Sequence, residues 1–315
     1  MIIRKRQKPR LLEKFEVLHA RLSTKSSHYH AIKYQKEICE KGYKGELEVD
    51  YYLNILASQY TILQDISLKT NGQMFQMDNL IISSNAIYLV DVKNFSHTIT
   101  FDTNLNQFTQ NNGKTVSGYN HPIIQIKLQK LRLQNWLHEN NFPSIPIHPF
   151  IAISSPSTII EVDGNHNEIN KIVGHGEHIP WKIMELEKEY TANQQFQHQK
   201  IGYQILNQCL EFDKNIFNDF PVQQQDILPG VRCTNCNSLN MQKLEYSWHC
   251  PKCNTNDDQA GAHSVNDYLL LFKPWITNGE CKLFLRLESR HTTLRILKST
   301  PQLEYIPKLK RWIKK

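Results

Sequence analysis

Four of the seven cysteines fall in two close pairs, CTNC at 233–236 and CPKC at 250–253, with thirteen residues between the pairs. Each C-x2-C turn aims two thiolates at one point. Cys233, Cys236, Cys250 and Cys253 therefore define a tetrahedral sulfur site that selects zinc, with iron as the alternative. His249 adjoins the second pair and is redundant as a ligand. The intervening NSLNMQKLEYSWH suits a short hairpin. A segment this small has little core of its own, so the first task of the metal is to fold it.

A second group is anionic. Asp91-Val92-Lys93 ends the apolar run IYLVDVK. The period of two along a strand puts Asp91 and Lys93 on the face of Ile87 and Leu89. Charges there are costly to bury unless paired or bound. Asp78 lies at the start of the preceding run, MDNLIIS, and only Ser-Asn-Ala separates the two runs. An antiparallel hairpin then makes Asp78 and Asp91 neighbours. Their repulsion is relieved by a divalent cation, and oxygen-only ligands point to Mg²⁺ or Mn²⁺. Glu46, three and seven residues before Val49 and Leu53, supplies a third acid beside the buried face of a helix. Such a set suits phosphodiester hydrolysis. The metal polarises the phosphoryl oxygen and acidifies a water, while Lys93 positions or deprotonates that water or stabilises developing charge. Plainer readings exist: a structural ion pair for Asp91 and Lys93, and a first-turn dipole partner for Glu46. Neither accounts for all four residues together.

These side chains need elements to position them. Residues 1–40 read as a basic helical arm, with Leu11, Leu12, Phe15, Leu18 and Leu22 at helical spacing. Residues 41–180 form the main α/β block. In it, Gly42 and Gly45 punctuate the start of a helix carrying Val49, Tyr52, Leu53 and Leu56. Strands are expected at 61–68, 77–83, 87–93, 98–102, 107–110, 148–154 and 171–174, and a helix from about Pro122 through Trp136. Residues 181–230 are a polar helical connector, 231–256 the zinc ribbon, and 257–315 a basic C-terminal segment.

The four motifs GYKGELEVDYYL, FQMDNLIIS, IYLVDVKNF and HPIIQIKLQKL occur in that order over residues 42–155. Together they resemble the nuclease-related domain known as NERD, a member of the PD-(D/E)XK nuclease-like superfamily. The resemblance implies a restriction-endonuclease-like mixed sheet flanked by helices, with Glu46, Asp78, Asp91 and Lys93 at the matching catalytic positions. It also implies that Gln125, on the helix after Asn120-His121-Pro122, lies near the site. The sequence departs from the family pattern twice: Asp91 stands where Glu is common, and Asn79 where His is often seen.

The net charge of +7 is unevenly spread. Residues 1–25 carry eight Lys or Arg against two Glu, and residues 263–315 carry eleven against four acids, so the middle is acidic. Basic ends suit a polyanion, since each neutralised phosphate releases counterions. Near the C-terminus, KLFLRLESRHTTLRILKS reads as a helix-turn-helix-like pair. Its apolar face would be Leu283, Leu287, Leu294 and Leu297, and Arg286, Arg290, Arg295 and Lys298 would contact phosphates. Trp312, set among lysines, is placed to stack on an unpaired base. The ribbon itself carries only Arg232, Lys243 and Lys252 nearby, too few for base reading. No apolar run spans a bilayer and no export signal precedes the fold, so the expected location is the cytoplasm and no membrane partner is expected. Cys39, Cys209 and Cys281 read as packed hydrophobes. The sequence points to an Mg²⁺-dependent nuclease (Mn²⁺ as substitute) acting on DNA. The alternatives are a non-catalytic nucleic-acid-binding or scaffolding protein that retains the nuclease fold, and a zinc-stabilised protein-interaction module.

Overall fold

The computed structural model describes residues 1–190 and 195–315; residues 191–194, inside the expected connector, lie outside the described residues. The chain divides into two compact units, Met1–Pro9 with Glu40–Asp213, and Arg10–Cys39 with Lys214–Lys315. Strand β1 (Ile2–Arg4) is followed by helix α1 (Arg10–Arg21) of the second unit. Helix α2 (Tyr29–Leu53) then runs through the division.

The first unit is built on strands β2 (Thr61–Thr70), β3 (Gln73–Ile82) and β4 (Ile87–Lys93). Asn71 and Gly72 join β2 to β3 with φ of 48° and 77°, the left-handed pair that a two-residue hairpin turn requires. A small sheet follows, of β5 (Thr98–Asp102), β6 (Gln107–Asn111) and β7 (Val116–Tyr119). Helix α3 (Pro122–Glu139) starts with His121 accepting from the Ile123 amide and with Pro122 in its first turn. Then come β8 (Ile147–Ile153), β9 (Ile159–Asp163), α4 (His166–Ile172), β10 (Val173–His175), α5 (Ile179–Lys188) and α6 (His198–Asn207). The main sheet has the order β1-β2-β3-β4-β8-β10 and the small one β7-β6-β5-β9. In the main sheet β3 is antiparallel to both neighbours, and β4, β8 and β10 are mutually parallel, so the sheet is mixed. One face packs Val90, Phe150 and Ala152 against Val49 and Leu53 of α2 and Ile179 and Ile183 of α5. The other packs Leu89 and Ile151 against Ile126 and Leu133 of α3, with Phe101 and Phe108 of the small sheet.

Three expectations change here. Residues 2–4 are an edge strand of the main sheet rather than part of a helical arm, because their backbone pairs in parallel with β2. Gly42 and Gly45 lie inside α2 and do not begin it. Among the described residues between 181 and 230, regular helix is confined to α5 and α6, with short 3-10 turns after them.

The second unit holds the cysteine segment, a three-stranded ribbon of β11 (Gln242–Lys243), β12 (Trp248–His249) and β13 (Asn256–Asp257). Helix α7 (Ala260–Leu271), strand β14 (Trp275–Ile276), helices α8 (Asn278–Phe284) and α9 (Arg290–Ser299), and strands β15 (Leu303–Ile306) and β16 (Arg311–Lys314) complete it. The expected helix pair is present as α8 and α9, but a sheet of order β14-β16-β15 accompanies it. Leu283 is 77% exposed, and Cys281 and Leu285 take the buried positions instead. Trp312 is buried, and its indole N–H donates to Asn278 Oδ1 at 2.9 Å, so it is not placed to stack on a base.

Candidate functional sites

In the first unit the side-chain alternation slips in two adjacent strands. Phe75 and Met77 of β3 face the same core as Leu80 and Ile82, an odd step that breaks the period of two. Opposite, Asp65 of β2 has φ of 55°, and Leu63 and Ile66 on either side of it again share one core. On the β4 side the ladder runs from Ile82↔Ile87 to Asn79↔Val90 and stops. Beyond that point the Asp78 carboxylate takes over: its Oδ2 accepts from the Val92 amide at 2.7 Å. Asp78 therefore sits at a deliberate opening in the sheet and not, as the sequence suggested, at the start of its strand.

Asp91 is 2% exposed. Lys93 Nζ lies 2.7 Å from its Oδ2, and Gln129 Nε2 on α3 approaches its Oδ1 at 3.4 Å. Lys93 also donates to Gln125 Oε1 at 3.0 Å. Burial and the like charge of Asp78 together push the Asp91 carboxyl up to about 6, with Lys93 pulling the other way. The structure thus brings Asp78, Asp91, Lys93 and Gln125 together.

Glu46 reaches the site from α2 because Gly45 lets the helix approach closely. A Cβ at position 45 would stand 2.6 Å from Ser154 Oγ and 2.7 Å from Asn94 Cβ. Burial, then Asp78, raises the Glu46 carboxyl to about 7, opposed by Arg6. Arg6 was not singled out from the sequence, and its side chain is only 2% exposed. It donates from Nη1 to Glu46 Oε2 at 2.8 Å, from Nε to Asp50 Oδ2 at 2.8 Å, and from Nη2 to the Asp78 carbonyl at 2.7 Å. Burial works against its charge, but the Asp50 hydrogen bonds and the charges of Glu46, Asp50 and Asp78 outweigh it and raise its pKa. Asp50, one helical turn after Glu46, was also missed; burial raises its pKa against the pull of Arg6.

The donor set of Asp78, Asp91 and Glu46 is all oxygen, and burial, with repulsion from Asp78 second, raises the pKa values of Asp91 and Glu46, a penalty on charge that a divalent cation relieves. Their atoms are not tightly gathered. Among the described residues, the four cysteines alone form a group of three or more His, Cys, Asp or Glu whose ligand atoms all lie within 4.8 Å of one another.

That quartet is the second site. The Sγ atoms of Cys233 and Cys253 are 3.6 Å apart and those of Cys236 and Cys250 3.5 Å. Four thiolates at about 2.3 Å from a tetrahedral zinc stand about 3.8 Å from one another, so the quartet could hold zinc. Asn237 and Asn254, each directly after the second cysteine of its pair, have φ of 59° and 55°. Their amides donate to the carbonyls of Cys233 and Cys250 at 3.0 and 2.8 Å, closing two equivalent turns. Hydrogen bonds from the Thr255 hydroxyl, 3.2 Å away, and backbone draw the Cys253 thiol down to about 6, while Cys236, despite its backbone hydrogen bond at Ser238, is pushed up by burial and the neighbouring thiols. The ribbon is tied to its unit by Arg232, whose guanidinium pairs with buried Asp267 at 2.7 Å while Arg21 pairs with the same carboxylate at 2.8 Å. Arg286, Arg290, Arg295 and Lys298 are all exposed, on α9 and the loop before it.

Compared with known proteins, residues 41–154 match the family model described as NERD, the nuclease-related domain. That segment includes Glu46 and the Asp78–Lys93 hairpin. No curated protein and no solved structure gives a match.

Proposed function

We propose that the chain is a divalent-metal-dependent nuclease, acting on DNA, with its site at Asp78, Asp91, Lys93 and Glu46. The observation that carries this reading is the interrupted β3–β4 ladder, where two carboxylates and a lysine converge inside a nuclease-related domain. Asp78 and Asp91 would hold Mg²⁺ or Mn²⁺, with Glu46 joining them directly or through water. When bound, the cation supplies Lewis-acid polarisation of a phosphate oxygen and a more acidic water. Asp78 is held by the Val92 amide and Asp91 by Gln129, which limits the rotamers of both carboxylates. Lys93, oriented by Gln125, places its ammonium where negative charge builds on the phosphate or where a water must lose a proton. Zinc on the four cysteines is structural in this scheme, and Arg286, Arg290, Arg295 and Lys298 contribute phosphate contacts.

One observation favours a second reading, a nucleic-acid-binding protein on a nuclease scaffold. Arg6 already pairs with both Glu46 and Asp50 and offsets one of their two charges, leaving less uncompensated charge for a cation. Incubation of the full chain with labelled single- and double-stranded DNA in Mg²⁺, Mn²⁺ or chelator separates the two. Metal-dependent cleavage that vanishes in Asp91→Ala and Lys93→Ala supports the nuclease; binding without cleavage under every condition leaves the scaffold.

A further inference from the structure

A cleft of about 770 Å³ in the first unit takes no part in the chemistry above. It opens along β10, the edge strand beyond β8, and is lined by α4, α5 and β9. His175 of β10 is in register with Ile153 of β8, which is in register with Lys93 of β4. Residues in one cross-strand row share a face, so His175 and Lys93 lie on the same side of the sheet, two strand spacings or about 10 Å apart.

The lining has the composition of a base-and-phosphate site. Trp181 on α5 is 59% exposed, although its helix buries Ile179 and Ile183 normally. A solvated indole face beside a cleft is a stacking platform, and His166 and His178 add further flat rings. Lys182 Nζ donates to the Asn170 backbone carbonyl and lies 3.3 Å from its side-chain oxygen, a positioned cation beside an amide able to read a base edge. His175 Nδ1 is buried without a hydrogen-bond partner, a polar atom left for a ligand to satisfy. Among the described residues, Glu185 is the only acid in the lining.

We propose that this cleft is a subsite for an unpaired base of single-stranded nucleic acid, stacked on Trp181 with Lys182 at its phosphate. A duplex keeps its bases stacked and covered, so the site selects an unpaired strand. The path of that strand toward Lys93 rests on the nuclease reading; the stacking does not.

The test is fluorescence anisotropy on the full chain in buffer without added Mg²⁺ or Mn²⁺, where no phosphodiester is cut and zinc is not stripped. The probes are labelled oligothymidylate, oligouridylate and a duplex, each about 12 nucleotides long, within the span of single-strand sites. Trp181→Ala is expected to weaken single-strand binding about ten-fold, Trp181→Phe to restore most of it, and duplex binding to stay unchanged. Comparing the two single strands tells DNA from RNA. Unchanged single-strand affinity in Trp181→Ala, an equal loss on duplex, or no single-strand binding by the parent would each overturn the proposal. A metal-dependent cleavage assay run in parallel keeps the two ideas separate. A Trp181 effect without cleavage sinks the nuclease and leaves the subsite, whereas cleavage without a Trp181 effect does the reverse. Trp181 is mostly solvent-exposed, so its removal leaves the fold intact, which circular dichroism verifies.

Discussion

Replacing Arg6 by alanine removes a cation that pairs with Glu46 and Asp50 together. The guanidinium is 2% exposed and its partners 23% and 9%, so water does little to screen what is left behind. Breaking a buried ion pair from one side costs about 3–5 kcal/mol. For a unit the size of Met1–Pro9 with Glu40–Asp213, that corresponds to a fall of about 6–20 °C in Tm. The loss has a pH signature. Glu46 already titrates at about 7 in the folded protein against a reference of 4.5, and without Arg6 it and Asp50 are pushed higher still. A carboxyl with a raised folded pKa contributes stability when protonated, and that contribution disappears as pH rises through the folded value. The Arg6→Ala deficit should therefore be larger at pH 8 than at pH 5.5. At pH 8, added Mg²⁺ should recover part of it, since a divalent cation answers the same charges. Calorimetry of both proteins at the two pH values, with and without added Mg²⁺, measures all three effects. An equal deficit at both pH values would refute the charge argument and reduce Arg6 to a packing residue.

Three further outcomes follow from the same geometry. Gly45→Ala adds helix propensity worth about 1 kcal/mol, yet its Cβ would stand 2.6 Å from Ser154 Oγ. We expect net destabilisation of about 1–3 kcal/mol by denaturant unfolding, and a stabilised variant would show that α2 is free to shift. Metal affinity should rise with pH between about 5 and 8, because Asp91 at about 6 and Glu46 at about 7 must shed protons to bind; a pH-independent Mn²⁺ titration by calorimetry would contradict this. Elemental analysis should find one zinc per chain, lost in Cys250→Ser together with the thermal transition of the second unit, and a metal-free parent with an unchanged transition would show that the quartet is not a structural zinc site.

What could be read from the sequence was local. The cysteine quartet is visible because ligand spacing within a knuckle is a short-range property, and the Asn after each pair even marks the left-handed turn. Asp91 and Lys93 were legible from the period of two, and the Asn71-Gly72 hairpin was there to be read as well. Gln125 came only through resemblance to a family. Gln129 and Asp50 did carry a signal, each standing one helical turn after a site residue, but a polar side chain at that spacing is indistinguishable from an exposed one until the packing is known. Arg6 had no local signal. It lies forty residues before Glu46 and enters the site only because β1 docks in parallel beside β2, a pairing that no short-range pattern encodes.

The same distinction changes the weight of the charge argument. A segment with excess Lys and Arg looks like a surface for phosphate, yet much of the N-terminal excess is already committed within the protein. Arg4 donates to the Gln64 carbonyl and sits 4.0 Å from Asp65, Arg6 is enclosed by acids, and Arg21, fully buried, shares Asp267 with Arg232. These residues add to net charge without adding counterion-releasing surface. The C-terminal excess differs, because Arg286, Arg290, Arg295 and Lys298 all reach solvent while the apolar side of α9 is taken up by Ile296 and Leu297. If the protein grips a polyanion through its basic ends, the salt dependence of binding should follow substitutions on and beside α9 and ignore Arg4. The two terminal segments have nearly the same net charge, and only their burial separates them.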